Sequence, residues 1–65
     1  MKTGKDNYGD DWSVKDAGSD RTLVSFGSYT EMLFDKAKTM TFAAAVLEQA
    51  DETELAKMVR EKAGT

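Results

Sequence analysis

The sequence predicts an α+β fold: an N-terminal β-hairpin followed by two or three α-helices packed on one of its faces. Three observations point there. Residues 12–26 alternate apolar and polar types on either side of a cluster of turn formers. Two boxes with an oxygen-bearing residue three places before a glutamate follow, at Ser28–Glu31 and Asp51–Glu54. The last third, Thr41–Gly64, has no proline and no glycine before its final residue.

Met1–Asp11 is polar, with glycines at 4 and 9, and reads as an N-terminal arm ahead of one small domain over 12–65. Tyr8 and Trp12 are its candidate anchors. Trp12-Ser13-Val14-Lys15 has the period of two that marks a half-buried strand. Asp16–Asp20 is turn chemistry throughout. Arg21–Phe26 resumes with β-branched and aromatic residues. A hairpin over these segments puts Trp12, Val14, Val24 and Phe26 on its inner face.

Ser28-Tyr29-Thr30-Glu31 reads as a capping box opening a helix through Lys38 or Thr39, with Tyr29, Met32, Leu33, Lys36 and Met40 on its buried side. The rival reading makes Glu31–Asp35 a strand, because periodicity does not decide a run as short as Met-Leu-Phe. Thr41 is placed to cap a further helix to about Ala50, with Phe42, Val46 and Leu47 as its stripe. Asp51 and Glu54 form the second box. Leu55, Met58, Val59 and Lys62 follow helical spacing, and Gly64 is placed to end the helix in the left-handed conformation. Thr41–Gly64 reads as two helices meeting at a bend near Asp51, with one continuous helix as the alternative.

Composition closes several functions. With 65 residues there is at most one domain, and chains this short bury roughly 60% of their unfolded surface. Neither cysteine nor histidine is present, so thiolate and imidazole chemistry is absent. The expectation is therefore no catalytic set, no metal and no cofactor. A net charge of −3 disfavours a direct grip on nucleic acid or on an anionic membrane. No apolar run approaches the roughly 20 residues of a membrane helix, and no secretory signal follows Lys2 and Lys5. A cytoplasmic setting is the expectation.

Asp6–Asp11 resembles a calcium loop only superficially, because Ala17 stands where the twelfth-position glutamate would be. Phe26-Gly27-Ser28 is a weak anion-site candidate with no lysine behind it. The acidic residues allow a second reading as a nucleic-acid mimic. Glu48, Asp51, Glu52 and Glu54 gather near the bend, with Asp10, Asp11, Asp16 and Asp20 earlier. Nine basic residues dilute that row.

Eighteen large apolar residues are generous for so small a scaffold, which leaves some to face a partner. The leading functional expectation is a small non-enzymatic regulator or inhibitor that docks on another protein and self-associates. Proteins of such size and composition are typical of bacterial or phage accessory factors. The candidate contact residues are Tyr8, Phe34, Leu55 and Met58, with Glu48, Asp51 and Glu52 as polar companions.

Overall fold

The computed structural model describes residues 1–64. The chain divides into two compact units, Met1–Asp35 and the remainder from Lys36. The first is a sheet of strands β1 (Lys2–Lys5), β2 (Asp11–Gly18), β3 (Arg21–Phe26) and β4 (Thr30–Phe34). The second holds two helices, α1 (Lys36–Gln49) and α2 (Thr53–Ala63). The α+β class stands among the described residues, with a sheet larger than a hairpin and two helices rather than three.

The sheet is an antiparallel meander in the order β1-β2-β3-β4. Its centre is the predicted hairpin, pairing Trp12 with Phe26 and Val14 with Val24. Direct partners lie on one face and alternate residues share it. Trp12, Val14, Val24 and Phe26 therefore form one apolar face, as expected. Met32, opposite Val24, and Phe34, opposite Thr22, extend it.

The turn between β2 and β3 is tighter than Asp16–Asp20. Only Ser19 and Asp20 lie outside the strands, both with positive φ (53° and 61°). Positive φ at both central residues of a two-residue loop matches the twist of the flanking strands. A register shift between Asp16 and Gly18 accommodates one extra residue, and Asp16 Oδ1 accepts the Gly18 N–H at 2.8 Å.

Residues 1–11, expected as an arm, instead supply an edge strand and its loop. Gly4 pairs with Trp12, and a Cβ at position 4 would stand 2.5 Å from Trp12 Cζ2. The indole thus lies over the glycine, which explains a glycine inside a strand. Asp6 Oδ1 accepts the N–H groups of Tyr8 (2.8 Å) and Asp10 (2.9 Å), and Gly9 closes the loop at φ 85°. Trp12 is an anchor of this segment; Tyr8 is not, since it is 92% exposed at the loop tip.

The expected helix over 28–39 is corrected. Gly27 turns at φ 64°, and Thr30–Phe34 continues the ladder as β4. Pairing of Val24 with Met32 and Leu23 with Leu33 overrides the local capping signal. Tyr29, expected on a buried side, is 98% exposed. With no helix beginning at Ser28, the anion-site candidate at Gly27 loses its donors.

Helix α1 begins at Lys36, five residues before the expected cap. Thr41 Oγ1 accordingly donates to the Ala37 carbonyl (3.0 Å) from inside the helix and caps nothing. The bend near Asp51 is present, but its chemistry differs from a capping box. Asp51 takes a left-handed conformation at φ 62°. Its N–H donates to the Glu48 carbonyl (3.1 Å), and the Glu52 N–H donates to that of Leu47 (2.8 Å). Those two bonds are a Schellman closure, with Asp51 where glycine is usual. Glu52 precedes α2 without a side-chain cap bond. Gly64, expected left-handed, stays right-handed at φ −88° with its N–H on the Arg60 carbonyl.

Candidate docking site

Helices α1 and α2 meet through small residues. Ala44 and Ala56 are fully buried, and with Val24 in the sheet they complete the buried apolar set among the described residues. Alanine lets two helices approach closely but removes little apolar surface from water. The larger side chains are displaced to the flanks of this contact.

Four of them meet in a groove of about 480 Å³ lined by Met40 of α1 and by Leu55, Met58 and Val59 of α2. Glu61 and Lys62 line it as its polar members. Leu55 is 48% exposed and Met58 63% exposed, while Met40 and Val59 are half-buried. The spacing Leu55, Met58, Val59, Lys62 winds one stripe along α2. On α1, Met40, Ala44 and Leu47 stand at i, i+4 and i+7, which brings Met40 to the same side as the helix contact.

A bidentate ion pair joins α1 and α2. Arg60 Nη2 donates to Glu48 Oε1 at 2.7 Å and Arg60 Nε to Oε2 at 3.1 Å. These hydrogen bonds hold the Glu48 carboxyl below its ordinary pKa and the guanidinium above its own. Both side chains are roughly two-fifths exposed, so the pair orients more than it stabilises.

The residues singled out from sequence therefore separate. Leu55 and Met58 come together in one groove. Glu48 is committed to Arg60, and the Asp51 backbone is committed to the turn. Glu52 is exposed just before α2. Phe34 is half-buried in β4, in the other unit, and Tyr8 stands alone at the β1–β2 loop. Met40 and Val59 complete the groove. Met40, expected in a helix starting at Ser28, belongs instead to α1, where its spacing to Ala44 and Leu47 is the signal that places it.

Three carboxylates of the first unit serve its own fold: Asp11 pairs with Lys5 at 2.6 Å, and Asp6 and Asp16 accept backbone N–H groups. No group of three or more acidic side chains among the described residues could hold a metal ion. No helix among them is long and apolar enough to cross a membrane. No protein-family model, curated protein or solved structure matches this chain.

Proposed function

We propose that this chain is a small regulator or inhibitor that acts by docking on another protein and by self-association, without catalysis of its own. One observation carries the reading: two large apolar side chains, Leu55 and Met58, stand about half exposed in a single groove with Met40 and Val59. Methionine adapts to irregular partner surfaces, and burial of such side chains is the main driving force of association. Commitment of Glu48 to Arg60 and of Asp11 to Lys5 thins the acidic row that nucleic-acid mimicry needs, which favours docking over mimicry. A cytoplasmic accessory role in a bacterium or phage is part of the proposal, by analogy of size and composition.

The test immobilises the full chain, identifies what it retains by mass spectrometry, and titrates that protein against Met58→Ala. Docking predicts affinity weakened roughly tenfold, the equivalent of about 1.4 kcal/mol, with unchanged helicity. Retention of nothing, together with a mass that stays monomeric at every concentration, overturns the reading.

A further inference from the structure

The sheet presents two aromatic side chains to water at one of its ends. Strands β1 and β2 close on the pair Lys5–Asp11, and β3 and β4 close on Phe26–Thr30. Phe26 in turn faces Trp12, the chain neighbour of Asp11, so the β1–β2 and β3–β4 loops leave the sheet at the same end. The Gly27 N–H donates to the Asp11 carbonyl at 2.8 Å and ties the second loop to the base of the first. Tyr8 stands on the first loop and Tyr29 on the second. Both are almost fully exposed, and neither side chain has a partner among the described residues.

Nothing in the fold accounts for these two rings. The loops around them, Asp6-Asn7-Tyr8-Gly9-Asp10 and Gly27-Ser28-Tyr29, are otherwise built of glycine and small polar residues. Tyrosine among serine, glycine and asparagine is the composition of antibody recognition loops, where it supplies a large amphipathic contact area at low cost in conformational entropy. The first loop is also ordered before any contact. Asp6 Oδ1 accepts two N–H groups, the Asp6 N–H donates to the Asp10 carbonyl (2.9 Å), and the Gly9 N–H donates to the Asp6 carbonyl (3.1 Å). Order present beforehand reduces what binding has to immobilise. Beside the loops lies a cavity of about 290 Å³ lined by Asp6, Asp10, Asp11, Trp12, Phe26 and Gly27.

We propose that this end of the sheet is a second docking surface, whose partner is an arginine-rich segment of another protein. Charge complementarity names the partner. Over residues 5–11 and 26–31 the sequence has one base, Lys5, against Asp6, Asp10, Asp11 and Glu31. Lys5 is already paired with Asp11, whereas Asp10 and Glu31 make no ion pair among the described residues. Carboxylates alone would be an ordinary solvated rim; the aromatic groups beside them select the cation. A guanidinium stacks on an aromatic face and forks onto a carboxylate at the same time, which an ammonium does not do. Trp12 and Phe26 wall the cavity, and Tyr8 and Tyr29 stand above it on the loops. Nucleic acid and anionic membranes meet like charge here. The surface lies wholly within Met1–Asp35 and does not depend on the groove of α2.

Fluorescence anisotropy of the full chain against a labelled peptide of alternating arginine and serine tests this, with a lysine-for-arginine peptide in parallel. The arginine peptide should bind saturably and several-fold more tightly than the lysine peptide, and should shift the emission of Trp12, the single tryptophan. Tyr8→Ala/Tyr29→Ala is expected to weaken binding roughly tenfold, and Asp10→Asn/Glu31→Gln by a similar factor, with circular dichroism unchanged. Tyr8→Phe/Tyr29→Phe keeps the rings and should bind close to wild type. Absence of saturable binding overturns the inference. Binding that ignores the loss of both tyrosines also overturns it, since general attraction of opposite charges would then suffice. Met58→Ala should bind the peptide as the wild type does; a loss there would move the site to the α2 groove and overturn this one. Capture of another protein through that groove should persist in Tyr8→Ala/Tyr29→Ala, which keeps the two readings separate.

Discussion

The sheet of Met1–Asp35 and the helical pair that begins at Lys36 both leave large apolar side chains exposed, Leu33 at 53% in the first and Met58 at 63% in the second, but differ in which side chains make their internal contacts. In the sheet, large side chains meet large ones: Trp12 faces Phe26 and Val24 faces Met32, and Val24 is buried to 6% exposure. In the helical pair, small residues make the contact, and Val46, Leu55 and Met58 remain about half or more exposed. A unit that closes through alanines has its larger apolar groups left over for other contacts. For that reason we place the proposed docking site on the helices.

This comparison breaks most readily at Gly4. Gly4→Val would drive a side chain into the Trp12 indole, and overpacking of this kind costs about 3 kcal/mol at the upper end. Urea unfolding should show that loss together with changed tryptophan fluorescence. An unaltered midpoint would mean that the indole does not clamp β1.

Val24→Ala comes next, with an expected loss of about 2 kcal/mol in the same assay. Met58→Ala, by contrast, should leave the unfolding midpoint near wild type at a protein concentration below self-association. A reversal of these two costs would show that Met58 is core and Val24 is not.

Smaller effects sharpen the account of the bend. Asp51→Gly removes the side-chain cost of a left-handed residue and should stabilise the chain by up to about 1 kcal/mol. Asp51→Val should destabilise it, because a β-branched residue fits that conformation poorly. Thermal unfolding of the two variants, shifted in opposite directions, is the expected result.

The smallest effect lies in the pH dependence. The Glu48 carboxyl is lowered by Arg60, so its contribution is complete above the ordinary glutamate pKa of about 4.3 and is lost as pH falls through the depressed folded value. Glu48→Gln should remove that part of the acid dependence, visible as a flatter stability profile below about pH 4.3. An unchanged profile would mean that the Arg60 contact is too solvated to matter.

Much of this architecture was legible in the residues, and its failures have a common cause. The period of two at Trp12–Lys15 and Arg21–Phe26 identified the central hairpin and its inner face. Stripe spacing and the bend at Asp51 identified two helical segments and brought Leu55 with Met58. What misled was local capping chemistry: Ser28–Glu31, Thr41 and Asp51–Glu54 each carry cap residues that the fold uses otherwise. A cap is worth about 1 kcal/mol, less than a strand gains from pairing with a neighbour and burying one face. Strand β1 was hidden for a related reason. Lys2, Gly4 and Lys5 have no strand propensity of note, and the pairing depends on the indole that Trp12 lays across Gly4.

Sedimentation equilibrium of the unmodified full chain, across a wide range of concentration, bears most directly on the claim that company covers the α2 groove. The account predicts a mass rising from the 7.2 kDa of one chain to twice that value, and a rise that Leu55→Glu abolishes. A mass fixed at one chain throughout would contradict it.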